Sequence, residues 1–134
     1  MDQTAMKTML ANAKTIAVVG LSDKPDRASY GVAQYMQRAG YKIIPVNPQL
    51  KGPVLGEQPV ASLHDITEPI DIVDIFRRAE DVPSVVADAI AVGAKAVWLQ
   101  LGIVNDAAVA EAAAAGLEAV QDKCLKVEHA RLGL

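Results

Sequence analysis

The chain has 134 residues, 51% hydrophobic and 22% charged, with a formal net charge of −3. That length fits one domain and excludes a complete ligase or dehydrogenase built from several. An acidic pI near 5.3 gives no basic stripe for a phosphodiester backbone, so nucleic acid is not an expected partner.

With 23 alanines and only 4% aromatic residues, the core must be Val, Ile and Leu, with Ala letting helices approach closely. Residues 1–12 read as a helix with Met6, Met9 and Leu10 on one face. Residues 15–20 form a largely apolar run suited to a strand buried on both sides of a parallel sheet, ended by Gly20. After a polar loop, residues 30–39 are predicted helical and stopped by Gly40. A strand follows over 41–46, closed by Asn47-Pro48. Residues 49–69, punctuated by Gly52, Pro53, Gly56 and Pro59, read as a loop with one short strand near Pro59-Val60 and a helical turn at Leu63-His64-Asp65.

The alternation then becomes regular. Strands are predicted over 71–76, 96–101 and 117–121, with helices over 82–92, 106–115 and 123–132; Gly93 and Gly116 stop the first two of these helices. Strands joined by helices imply right-handed crossovers and parallel pairing. The expected fold is a Rossmann-like α/β domain over residues 1–134, an open sheet of about five parallel strands in order 3-2-1-4-5 with helices on both faces. Ligands in such sheets bind outside the carboxyl ends of the strands, where strand order reverses. That directs attention to Gly20, Asn47, Phe76 and Gln100.

Other classes fall away on short observations. Apolar runs such as 112–115 are far too short to span a membrane. The opening residues have neither the basic nor the apolar region of a signal peptide, so a cytoplasmic location is expected. The single cysteine, Cys124, forms no intrachain disulfide and no Cys-based zinc site alone, and no metal is expected.

The loop from Gly20 to Gly31 carries the chemistry. A helix N-terminus there offers unpaired N–H groups and a positive dipole end, suited to a pyrophosphate. Ser22 and Ser29 add hydroxyls; Lys24 and Arg27 add charge, and Arg grips phosphate bidentately. The plainer reading is a solvated loop whose Ser29 caps the helix. A dinucleotide fingerprint, G-x-G-x-x-G with an acid about 20 residues on, is absent, and so is a P-loop.

These residues, read together, carry a resemblance. Val18-Val19-Gly20-Leu21-Ser22, Arg27-Ala28-Ser29-Tyr30-Gly31-Val32, Gly40-Tyr41, Ile44-Pro45-Val46-Asn47-Pro48 and Gly56 run through the first half. Asp71-Ile72-Val73-Asp74-Ile75-Phe76-Arg77, Gly93-Ala94-Lys95, Trp98-Leu99-Gln100-Leu101-Gly102-Ile103 and Asp122-Lys123-Cys124-Leu125-Lys126-Val127-Glu128-His129 continue it. The chain resembles the small single-domain coenzyme A-binding proteins of bacteria, similar in fold to the CoA-binding domain of the succinyl-CoA synthetase α subunit. The resemblance implies coenzyme A or an acyl-CoA as ligand. Its diphosphate would lie on the loop with Gly20, Leu21, Ser22, Arg27, Ser29 and Tyr30. Val46, Asn47 and Pro48 would border the adenosine; where a nicotinamide site has an acid, an amide and a proline would tolerate a ribose 3′-phosphate. Phe76 and Arg77 would line the pantetheine or phosphate path, with Gln100 and Gly102 as the other wall.

The synthetase passes phosphate through a histidine in a further domain and needs a nucleotide-binding partner chain; here His64 and His129 fall in the irregular loop and the last helix, so a ligase reaction is not expected. Cys124 and His129 invite an acyl-transfer nucleophile, but they are five apart and do not share a helical face as residues three or four apart do. The plainer reading makes Glu128 and His129 a structural pair anchoring the last helix. Arg78 is expected in solvent, Trp98 in the core, and Asn105-Asp106 as a helix cap. The expectation is CoA binding without catalysis, the alternatives being an NAD(P)-dependent reductase, a Cys124-dependent acyltransferase, or a protein-interaction module on a Rossmann-like fold.

Overall fold

A computed structural model describes residues 1–134. Helix α1 (Gln3–Asn12) is started by Asp2, whose carboxylate accepts the Ala5 N–H at 2.7 Å, and it buries Met6, Met9 and Leu10. Strand β1 (Thr15–Val19) is buried at every position. Helix α2 (Ala28–Arg38) buries Val32, Ala33 and Met36. It is followed by β2 (Lys42–Val46) and β3 (Ile72–Ile75), then α3 (Val82–Ala91), β4 (Ala96–Leu99), α4 (Asp106–Ala114), β5 (Glu118–Val120) and α5 (Leu125–Arg131).

The five strands are parallel in the order β2-β1-β3-β4-β5. Val60 adds a single parallel bridge to the outer edge of β2 at Val46. Counting that bridge as the third strand recovers the expected 3-2-1-4-5 order, with β5 as one strand more. Successive side chains on a strand point to opposite faces, and the sequence uses both. On one face Ile16, Val18, Ile43, Ile72 and Trp98 meet α1, α2 and α5. On the other, Ala17, Val19, Ile44, Val73, Ile75, Val97 and Leu99 meet α3 and α4. Each large side chain taken fully out of water contributes about 1.5–3 kcal/mol, so this two-sided core makes the sheet a rigid platform.

Most elements lie where the residue pattern puts them, with shorter strands. The ends move for local reasons. Helix α2 begins at Ala28, ahead of Tyr30, because Arg27 takes the N-cap position and Ser29 lies inside the first turn. Helix α5 begins at Leu125 because Lys123 is still held to the sheet: its carbonyl accepts the Trp98 indole N–H at 2.8 Å. Trp98 is fully buried, and Asn105 caps α4 by accepting the Ala108 N–H at 3.0 Å, both as expected.

Candidate functional site

All five strands point the same way, and the chain leaves β1 for β2 on one side and places β3 on the other. The crevice outside β1 and β3 is therefore the fold's natural binding position. Gly20 ends β1 there with φ +88°, and its N–H donates to the Val46 carbonyl at 2.9 Å. A Cβ at this position would collide with the carbonyl oxygen of Phe76 and lie 3.5 Å from Nε of Arg77. Only glycine lets the chain turn this close to the end of β3.

Past Gly20 the loop folds back onto α2. The Ser22 N–H donates to Oγ of buried Ser29 at 3.0 Å, and Oγ of Ser22 accepts the Lys24 N–H at 3.1 Å. Ser29 is thus a brace for the loop rather than the helix cap. Arg27 holds the N-cap position without a side-chain cap and is exposed. The backbone N–H groups of Ala28, Ser29 and Tyr30 receive no acceptor from the chain. Three successive donors at the positive end of an eleven-residue helix form a cradle for an anion.

Asn47 joins this loop to the end of β2. Its side chain donates to the Leu21 carbonyl at 3.1 Å and accepts the Gln49 N–H at 3.0 Å, while its own N–H donates to Val60 at 2.9 Å. Both ends of the amide are therefore engaged in holding the loops together. Beside it lies a cavity of about 390 Å³, within the range of small-molecule sites. Val19, Val46, Pro48, Leu63 and Val85 form its apolar walls, and Ser62, Arg77, Asp81, Ser84 and Asp88 add polar groups.

The structure brings Gly20, Ser22, Arg27, Ser29 and Tyr30 to the cradle, and Val46, Pro48 and Arg77 to the cavity. Arg78 is exposed and pairs with Glu80 and Asp81, each at 3.4 Å, leaving Arg77 as the cavity's cation. Leu21, Gln100 and Gly102 are differently placed: Leu21 is fully buried in the core with Val32, Ala33 and Met36 of α2. Gln100 is buried, and its Oε1 accepts the Leu125 N–H at 3.1 Å, anchoring the start of α5. The Gly102 N–H is taken by Asp122 at 2.8 Å. The cavity residues from the 3-10 turn at Leu63–Asp65 and from α3 were missed by sequence reasoning. One signal existed: Asp81, Ser84, Val85 and Asp88 recur at helical spacing along one face.

Two titratable groups lie in the face packed on α1, α2 and α5. Asp74, in register with Val18 and Trp98, is completely buried with neither oxygen hydrogen bonded, and burial pushes its carboxyl well above the ordinary value. His129 accepts or donates at Nδ1 to the Tyr35 hydroxyl at 3.0 Å and meets the Tyr35 and Tyr41 rings edge-on. Burial lowers its pKa. Glu128 pairs with Arg131 at 3.5 Å instead of with His129, so the expected structural pair is two separate anchors. No hydrogen bond joins Cys124 to His129, whose Nδ1 is committed to Tyr35.

Residues 14–130 match the model of a family described as CoA binding domain. The chain is 46% identical over 129 residues to the uncharacterised protein YneT of Bacillus subtilis, covering 96% of this chain and 95% of that one. A solved structure from Thermus thermophilus, cell-free ID.343, superposes with a TM-score of 0.94 at 39% identity, covering 98% of this chain and 99% of that one. The dinucleotide-forming acetyl-coenzyme A synthetase 1 of Ca. Korarchaeum cryptofilum, in complex with phosphate and ADP, has a TM-score of 0.73 at 20% identity over 81% of this chain and 26% of its own. That last likeness is one of fold alone.

Proposed function

Because the chain belongs to the CoA-binding domain family, we propose that it binds coenzyme A or an acyl-CoA across the carboxyl ends of β1, β2 and β3, as one domain and without a reaction of its own. The observation that carries this reading is the pairing of the α2 cradle with the adjacent cavity. Three unpartnered N–H groups and the Arg27 side chain receive the diphosphate. The adenosine enters the cavity against Val46 and Pro48, with Arg77 at its wall for the ribose 3′-phosphate. Pantetheine then runs over Phe76 toward the loop that begins at Gln100 and Gly102. Gly20 keeps the ends of β1 and β3 this close, since a Cβ there would collide with the Phe76 carbonyl oxygen.

Binding alone is favoured over acyl transfer because the thiol of Cys124 has no base aligned with it: the imidazole that could serve is held by Tyr35. A nicotinamide dinucleotide is disfavoured because β2 ends in Asn47-Pro48, without the carboxylate that takes a ribose diol. Titration calorimetry with CoA, acetyl-CoA and NADH tests the reading. Saturable heat with a CoA species, weakened at least about tenfold by Arg27→Ala through loss of a charge-assisted contact, is the expected result. No heat with CoA or acetyl-CoA at millimolar ligand, or tighter binding of NADH, overturns it.

A further inference from the structure

The cavity has a polar asymmetry that the family reading does not use. Its one cation, Arg77, belongs to the end of β3, whereas the wall made by α3 presents Asp81, Ser84 and Asp88. Asp81 is engaged by Arg78 at 3.4 Å, and Ser84 donates its hydroxyl to the Asp81 carbonyl at 3.0 Å. Asp88 differs. Its Oδ1 meets Nε2 of His64, in the 3-10 turn at Leu63–Asp65, at 3.1 Å, which orients the carboxylate and leaves Oδ2 without a partner in the chain. Whatever part of a ligand reaches this wall must donate a hydrogen bond, because an ionised carboxylate only accepts. A phosphate or a carbonyl would be repelled.

We infer that Asp88 determines the base: it accepts the exocyclic amine of adenine, with His64 as its positioning residue. The inference rests on the cavity being the adenosine site. In that orientation the ribose is left at Val46 and Pro48 on the β2 side, and the purine ring reaches between Val19, Leu63 and Val85 toward α3. Adenine offers a donor at its 6-position. Hypoxanthine, identical in shape, offers a carbonyl oxygen there, and two acceptors would face each other. A site built to hydrogen-bond a group discriminates strongly against the analogue lacking it, and less strongly where water has access. Asp88 is 45% exposed, so the effect belongs at the lower end.

The test compares CoA with deamino-CoA, which carries hypoxanthine in place of adenine, by calorimetry on the full chain and on Asp88→Asn and Asp88→Ala. The expected result is CoA binding at least about tenfold tighter than deamino-CoA to the native chain, with the ratio falling to about threefold or less in both variants. The asparagine amide both donates and accepts, and alanine does neither. Equal binding of the two ligands by the native chain overturns the inference while leaving the CoA reading intact; it is also the outcome if Asp88 instead takes a ribose hydroxyl, since both ligands share the ribose. A ratio unchanged in both variants likewise overturns it. Failure of CoA itself to bind overturns the CoA reading, and this inference with it.

Discussion

Gly20 and Phe76 approach so closely that a methyl group on the glycine would overlap the phenylalanine carbonyl oxygen. The contact exists because Phe76 continues the ladder beyond β3, its N–H donating to Val19 at 2.9 Å, while Gly20 turns out of β1 with positive φ. Gly20→Ala is expected to lower stability by about 2–4 kcal/mol, combining backbone strain with a clash that no side-chain rotation relieves. Gly40→Ala provides the comparison. Gly40 also has positive φ, but a Cβ there meets open space, so only the strain of about 1 kcal/mol or slightly more applies. Urea unfolding of both variants checks the difference.

Ser29→Ala removes the acceptor of the Ser22 N–H. Stability should fall by about 1 kcal/mol. CoA affinity should fall as well, because the loop is no longer braced over the cradle. Calorimetry and unfolding on the same preparation separate the two; an unchanged affinity would mean that the brace is irrelevant to the ligand.

Gln100→Ala leaves the buried Leu125 N–H without its acceptor and opens space under α5. The expected cost is about 1–3 kcal/mol for the lost partner alone, with faster hydrogen exchange at the start of α5. Unperturbed exchange there would contradict an anchoring role.

Two buried groups should give stability opposite dependences on pH. His129 has a lowered pKa in the folded chain, so its contribution is present above its unfolded pKa of about 6.5 and is lost as pH falls below that value. Asp74 has a raised pKa, so its contribution is full below about pH 3.9, the unfolded value, and is lost as pH rises through the folded one. Asp74→Asn should remove the decline that sets in as pH rises above about 3.9, and His129→Gln the decline that sets in as pH falls below about 6.5. Thermal unfolding from about pH 3 to about pH 9 reads both, and a curve unaltered by either substitution would refute the assignment.

Much of the fold was legible because local chemistry repeats. Unbroken Val and Ile runs require burial on two faces, and the apolar helices between them require crossovers, so parallel order followed. Gly20 was legible as a strand end. The strand ends were less so, since Phe76 and, past Gln100, Leu101 extend the apolar runs of the sequence while their strands end at Ile75 and Leu99. Ser29 showed its donor chemistry but not its direction, which depends on how the loop folds back.

The sequence by itself determined the α/β alternation, the position of the anion cradle at the start of α2, and membership of a CoA-binding family. Those properties live in residues close together along the chain. The cavity was decided by tertiary structure, because it needs the end of β2, the turn at Leu63–Asp65 and one face of α3 to meet. So were the isolation of Asp74, the capture of His129 by two tyrosines and the commitment of Gln100 to α5. Each depends on a partner, or the lack of one, dozens of residues away, and no local pattern records which side chains the packing of helices on a sheet will bring into contact.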